Sequence, residues 1–515
     1  MEDMLYTSLL VIIVLFLMYS YLTRNFSVFK KAGIPGPAPY PLFGNTLDMG
    51  GISLINLDIS MAKKYGKFVG TFIGSAPMLL VYDAEWAAEA FVKHFSVFTN
   101  RNVPHFGGSI DSAILSVSDD HWRHGRKTLS PVFTTLKLKQ MIPAIQECCQ
   151  VFVKEVTKLE GASINLKNPA YLLTLDVIST TAFGLQSNVQ ENPKGQFAKN
   201  AFLISNCSEV NSTLKEKCRL AFVVVLNLLF PKWLTSFLVK VCTFGVLNPS
   251  AVDYFESLVA DALSHRKKHS EAFDLLQTMA DSIVEDNCDM LVDRSGHLWT
   301  EKGLTKEEVT GNSLLFLFAG FQTTADSLVF FFYELAHHQF IQETLYQEIA
   351  ATCDTKEIAI DQINKLKYLD ACLNEALRLY PQGFRFDRVA TEDINIQGIY
   401  VKKGTVVTVS PWVIHRNPDI WENPERFDPS RFLPENFDSK LSTWYIPFGL
   451  GNRKCIGSRL ALLEMKIATI SVLKAFRIEK NALTPGRPIK LKNTLPLAPL
   501  DTEQPMMVSF IKREF

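Results

Sequence analysis

Met4 to Thr23 is a run of twenty residues without one charged side chain. In hydrocarbon, every backbone N–H and C=O must be satisfied within the segment, so a single run of this kind has one solution. It is an α-helix, and at its rise per residue it spans roughly 30 Å, the thickness of a bilayer core. Glu2 and Asp3 precede the run while Arg24, Lys30 and Lys31 come after it. A cleavable secretory signal has the opposite order, with its basic residues first. Positive flanks stay on the cytosolic side, so residues 1–24 are expected to be a signal anchor that leaves the body in the cytosol.

Beyond the anchor, the chain reads as one globular unit. Hydrophobic residues make up 47% of the chain and charged residues 21%, which is not the composition of a disordered protein. The 53 basic and 53 acidic side chains cancel, so no global basic footprint for nucleic acid is present. Nine cysteines, without a C-x-x-C pair, argue against a disulfide scaffold and for a reducing compartment. Residues 25–42 contain Gly33-Ile34-Pro35-Gly36-Pro37-Ala38-Pro39-Tyr40-Pro41, whose prolines fix φ and predict an extended, stiff hinge. Residues 43–515 are then expected to form one body. Alternation predicts strands around Phe68–Tyr82 and Ile394–Val409, and helix over Glu85–His94. Between Asp119 and Arg378 the periodicity is helical, with breaks expected at Pro143, Pro193 and Pro231. The tail after Ile478 reads as short strands and turns. The fold class is therefore mainly α with a smaller β region. The apolar stretch Ala221–Phe230, closed by Trp233, is either a buried helix or a flap that dips into the membrane surface.

One cysteine stands apart by its neighbours. Phe448-Gly449-Leu450-Gly451-Asn452-Arg453-Lys454-Cys455-Ile456-Gly457 places it between glycines and cations, directly before a helix over Ser458–Phe476. Glycines allow tight turns and close approach of a flat ligand. A helix N-terminus and nearby cations lower a thiol pKa and hold a thiolate. Zinc is disfavoured because no second cysteine or histidine sits at ligand spacing. A lone thiolate on a cleared surface suits axial ligation of haem iron.

This segment resembles the F-G-x-G-x-R-x-C-x-G haem-binding signature of the cytochrome P-450 superfamily. Glu375-Ala376-Leu377-Arg378 is similar to that family's helical E-x-x-R, and Pro424-Glu425-Arg426-Phe427 to its P-E-R-F segment. The resemblance implies haem b (iron protoporphyrin IX) held by Cys455, with Phe448 and Gly457 beside it. It also implies that Glu375, Arg378 and Arg426 form a buried charge lock behind the loop. Arg101, Trp122-Arg123-His124-Gly125-Arg126 and Leu129-Ser130-Pro131-Val132-Phe133 resemble the animal microsomal clan of drug and steroid oxidases and thromboxane synthase. By that resemblance Arg101, Trp122, Arg126, Arg388 and Arg453 hold the haem propionates, a task suited to the planar guanidinium fork.

A helix is predicted over Lys306–His337, and it contains Ala319-Gly320-Phe321-Gln322-Thr323-Thr324. The family pattern here is A-G-x-(Asp or Glu)-T. It implies that Gly320 opens the helix beside the haem and that Thr323 handles oxygen and protons. Gln322 replaces the carboxylate, and an amide cannot act as a general acid. The retained threonine points to a monooxygenase that uses dioxygen (O2) and NADPH electrons from a flavoprotein reductase, with cytochrome b5 as a further donor. The lost acid points to a reductase-independent peroxide isomerase of the thromboxane-synthase type. Restoring an acid at position 322 is expected to improve coupling if the first holds. The basic set Arg123, Lys127, Lys137, Lys139 and Lys454 is the expected reductase face. Substrate lining is expected from Pro104–Leu115, Ala221–Leu238, Phe318 and Gln382–Phe384, mostly apolar, for a lipophilic guest. The anchor and the resemblance together imply the endoplasmic reticulum membrane. Asn25, Asn206 and Asn211 begin glycosylation triplets that a cytosolic body leaves unused.

Overall fold

The computed structural model describes residues 2–49, 53–104, 106–205, 247–266, 274–284, 289–294, 296–353, 357–492, 496–500 and 503–513. The Ala221–Leu238 stretch, Pro231, Asn206 and Asn211 lie outside these residues.

Glu2–Thr23 is one helix whose apolar side chains are exposed along its length. Among the described residues two helices are long and apolar enough to cross a membrane, this one and Lys306–His337. The second is two-thirds buried inside the protein and is a core element, whereas the first is exposed. The hinge is not a free tether. Gly70 N–H donates to the Pro35 carbonyl at 2.8 Å. Phe29 and Ile34 are buried in the same core, and a side chain at Gly36 would collide with the Gly70 carbonyl. The segment is therefore docked along the first strand.

A four-stranded sheet brings distant parts of the body together. β1 (Phe68–Ile73) and β2 (Ala76–Val81) form the expected hairpin. β3 (Phe386–Val389) and β4 (Val406–Val409) come from more than three hundred residues later. The strand order is β1-β2-β4-β3, and β2 pairs with β4 in parallel, Met78 opposite Val406. The helical body is thus inserted between two strands of one sheet. Helices Lys167–Phe183, Lys367–Leu379 and Ser458–Ala475 pack on the central helix Lys306–His337, and helix Thr135–Thr157 packs on the first and last of these. Thr305 and Glu308 cap that central helix reciprocally, each side chain bonded to the other's backbone N–H.

Two expectations about breaks need revision. Pro143 lies inside helix Thr135–Thr157 rather than ending it. It sits on the exposed face, where the carbonyl it leaves unpaired can bond to water. Residues Ala84–Ala88 are α-helical as expected, but Glu89–Lys93 widens into a π turn.

Candidate active site

A cavity of about 410 Å³ lies between the central helix, the cysteine loop, helix Asp119–Leu129 and the turn before β3. Cys455 is the one exposed cysteine among the described residues, and what it is exposed to is this cavity. Cys148, Cys149, Cys353 and Cys372 are buried elsewhere. The loop is shaped by Gly449 and Gly451, both at positive φ, and a side chain at Gly451 would strike the Phe91 carbonyl. Gly457 does not share this constraint. It has ordinary φ, and its backbone N–H serves the Cys455 sulfur instead.

The electrostatics correct one expectation. Burial pushes the Cys455 thiol up, and the N–H groups of Gly457 and Ser458 together with Arg101 and Arg126 only partly oppose it. Among the described residues no group of three histidine, cysteine or acidic side chains is placed to hold a metal ion.

At one end of the cavity four arginines converge. Arg101 Nη2 donates to the Arg453 carbonyl at 2.8 Å, while Arg453 donates to Thr99 (2.9 Å) and Val117 (3.0 Å) and lies 4.2 Å over the Trp122 ring. Burial and the charge of Arg101 push Arg388 down to about 9 and Arg453 down to about 8. Burial likewise lowers Arg101 and Arg126, and Arg101 adds to the effect on Arg126. Arg101 Nε and Arg388 Nε are buried without a partner. Cations packed so closely favour an anion with several acceptor oxygens. A flat metal complex with two carboxylates, ligated from below by one thiolate, fits both ends of this cavity, and haem has that chemistry.

The cysteine loop is locked from behind. Arg378 Nε and Nη2 donate to Glu375 at 2.7 and 2.8 Å, with both side chains fully buried. Arg378 also donates to the His415 carbonyl, and His415 Nε2 accepts from Ile446 N–H at 2.9 Å, one residue before the cavity wall. The second cation at Glu375 is Arg431, at 3.4 Å, not the expected Arg426. Arg426 is exposed and contributes only its backbone carbonyl.

The comparisons with known proteins agree with this geometry. The Cytochrome P-450 family pattern matches residues 34–505. The chain is 35% identical to cytochrome P-450 3A12 of Canis lupus familiaris over 508 residues, 94% of this chain and 96% of the relative. It is equally similar to cytochrome P-450 3A29 of Sus scrofa over 509 residues, 97% of this chain and 95% of the relative. Cytochrome P-450 3A41 of Mus musculus is 35% identical over 520 residues, 99% of this chain and 97% of that one. The chain belongs to the cytochrome P-450 family. It is a cytochrome P-450 monooxygenase.

Of the P-450 site residues expected from sequence, Arg101, Trp122, Arg126, Gly320, Thr323, Arg388, Phe448, Arg453, Cys455 and Gly457 all line the one cavity. Gln322 does not. The central helix presents Leu315, Phe316, Ala319, Gly320, Thr323, Thr324 and Ser327 to the cavity, and position 322 falls outside that stripe. Phe318 also turns away, packing against Phe255 at 5.8 Å. Thr323 Oγ1 donates to the Ala319 carbonyl at 2.6 Å, so its proton is held by its own helix and its lone pairs remain to accept. Gly320 has a second duty: a side chain there would meet Ile178 of helix Lys167–Phe183 at 2.7 Å.

Gln382, expected from sequence as substrate lining, is on this wall, and sequence reading missed a second polar group there, Glu464. Glu464 is buried, and burial raises its pKa well above the ordinary carboxylate value. It also missed how the Trp122 helix is pinned. His121 Nδ1 lies 3.0 Å from Asp293 and Nε2 2.8 Å from Glu308, with its ring stacked on Trp299. Burial alone lowers its pKa, but the two carboxylates outweigh burial and hold it above the usual value. A raised histidine pKa stabilises the fold fully below its unfolded value of about 6.5, and the gain disappears as pH rises through the folded value. The midpoint of thermal unfolding should therefore fall as pH rises from about 6.5 through the folded value. His121→Gln should flatten this limb of a melting-temperature against pH series, and an unaltered limb would count against the assignment.

Proposed function

We propose that this protein is a haem-thiolate monooxygenase of the endoplasmic reticulum membrane with its catalytic body in the cytosol. It inserts one atom of O2 into a lipophilic substrate of the steroid, fatty-acid or xenobiotic type. Electrons come from NADPH through a flavoprotein reductase, with cytochrome b5 as a second donor. The observation that carries the reading is Cys455 and Thr323 facing one apolar cavity whose cationic end is built for carboxylates.

When bound, the haem supplies the redox chemistry. The chain supplies the rest. Arg101, Arg126, Arg388 and Arg453 fix the carboxylate end, with Trp122 stacked beneath Arg453. Gly457 and Ser458 direct N–H groups at the sulfur. Ile114, Leu115, Phe316 and Leu315 exclude water from the substrate side. Thr323 accepts a hydrogen bond and passes a proton by rotating its hydroxyl away from Ala319. Arg123, Lys127, Lys139 and Lys454 are exposed, Lys137 is half-buried, and this basic set suits an acidic donor surface.

The test is product and hydrogen peroxide formed per NADPH in membranes reconstituted with reductase. Thr323→Ala should divert electrons to peroxide severalfold. Gln322→Glu should leave the ratio nearly unchanged, because position 322 is off the cavity stripe. Equal coupling in the parent and Thr323→Ala would remove Thr323 from proton delivery.

A further inference from the structure

The helix that carries Trp122 and Arg126 does not hold itself in place. Asp119–Leu129 has 11 residues, its N-cap Ser118 makes no side-chain cap bond, and Asp119 begins it at a positive φ of 51°. So short a helix is marginal alone, and its position is set by what packs on it. Beside it lie a short hairpin, Leu291–Val292 paired with Leu298–Trp299, and the start of the central helix. His121 joins all three. Its Nδ1 is 3.0 Å from Asp293 on the hairpin turn, and its Nε2 is 2.8 Å from Glu308 in the first turn of the central helix. A neutral imidazole has one N–H, whereas these two carboxylates offer two acceptors. The bridge is complete only when both nitrogens carry a proton.

Both ends of the bridge are fixed and dry. Asp293 Oδ1 accepts from His297 N–H at 2.9 Å, and Glu308 Oε2 accepts from Thr305 N–H at 2.8 Å within the helix cap. The side chains of His121, Asp293 and Glu308 are 1%, 3% and 2% exposed. Trp299 lies flat on the His121 ring at 5.3 Å and also meets His124, whose Nε2 donates to the Gly303 carbonyl at 2.9 Å. His297 Nδ1 approaches Asp293 at 3.5 Å. The other charges here are engaged elsewhere or lie at the surface. Arg294 pairs with Asp119, Arg123 with Asp120, and Glu307 accepts from Ser112, while Lys127 and Lys306 are exposed. One residue along from His121, Trp122 lies under Arg453 at 4.2 Å, and one turn further Arg126 lines the cavity.

We infer that Asp293, His121 and Glu308 form a proton-dependent clasp that holds Trp122 and Arg126 at the carboxylate end of the cavity, so that the cofactor is released faster once His121 loses its proton. The inference rests on haem as the occupant of that cavity. His121 touches neither cofactor nor substrate and is a positioning residue. Burial works against the charge on His121, but the two carboxylates outweigh burial and hold the group above its usual value. Released from the clasp, it returns to an ordinary value near about 6.5. The clasp therefore contributes fully below about pH 6.5 and is lost as pH rises through the higher value of the folded state.

Haem transfer from the full-length protein to excess apomyoglobin measures retention without NADPH, reductase or substrate. It is followed by absorbance between about pH 6 and about pH 9, on either side of the ordinary histidine value. Hydrogen exchange of residues 119–129 in the same protein reads the clasp itself. Near about pH 6.5 the parent should release haem severalfold more slowly than His121→Gln, which can bridge but carries no charge. That ratio should fall toward one as pH rises, and the extra exchange protection of the parent should fade over the same range. Glu308→Gln keeps a side chain suited to the helix cap but removes one carboxylate, so its loss of retention should begin at lower pH than in the parent. A purely structural contact would weaken retention equally at every pH and leave that midpoint unmoved. A release ratio independent of pH, or a Glu308→Gln midpoint equal to the parent's, overturns the inference. Should His121→Gln fail to fold, the Glu308→Gln midpoint decides. A parent that binds no haem would count against the proposed function, and exchange would then decide: protection that ignores pH overturns the clasp, and protection that fades with pH sustains it.

Discussion

Cys455→Ser is expected to abolish the absorption band of the carbonyl complex of ferrous, thiolate-ligated haem, and with it all NADPH-dependent product. The sulfur is the one thiol among the described residues that line the cavity, and the described cysteines other than Cys455 are buried away from it. Serine keeps the size and the backbone bond from residue 455 N–H to the Phe448 carbonyl, 2.9 Å in the parent, so the loop should stay folded. What it loses is the acidity. Burial already raises the thiol, and an alcohol is far harder to ionise, so no anionic ligand remains. Cys372→Ala, a buried cysteine on helix Lys367–Leu379, is the control and should retain the band. A purified Cys455→Ser protein that kept the thiolate spectrum would transfer the ligand role to another residue.

The parts of this site that were legible in the sequence are those in which chemistry and spacing are local. The glycines around Cys455 and the i,i+4 pair Trp122 and Arg126 declare themselves within ten residues, and the cavity brings them together. Charge partners were less legible. Pro424-Glu425-Arg426-Phe427 and Pro429-Ser430-Arg431-Phe432 are both P-x-R-F, and nothing in the letters says which arginine faces Glu375. Tertiary packing chooses Arg431. The partners of His121 lie 172 and 187 residues away, beyond any local pattern. Gln322 is a different case. Its neighbour Thr323 lines the cavity, and the 100° step of a helix carries position 322 off the face that both alternatives for the reaction relied on. The missing carboxylate therefore does not argue for an isomerase.

Arg378→Ala should be the most destabilising single change in the body. The side chain is fully buried, holds Glu375 through two short bonds, and donates to the carbonyls of His415 and Arg426. Removing it leaves a buried carboxylate with Arg431 at 3.4 Å as its remaining cation. Breaking a buried pair on one side costs roughly 3–5 kcal/mol, a large share of the about 5–15 kcal/mol that hold a domain folded. Arg378→Lys should rescue little, because one ammonium cannot span the carboxylate and two carbonyls. The damage should also reach the haem site. Burial and Arg378 push His415 down to about 3, so its ring is neutral, and Nε2 is the acceptor that holds Ile446 ahead of Pro447 and Phe448. Urea unfolding and haem content of the purified protein measure the two effects together. Glu375→Ala should cost a similar amount, while the double variant should cost clearly less than the sum, since no stranded charge remains. Additive losses in that cycle would mean that Glu375 and Arg378 act separately, and the lock behind the cysteine loop would have to be rebuilt from other contacts.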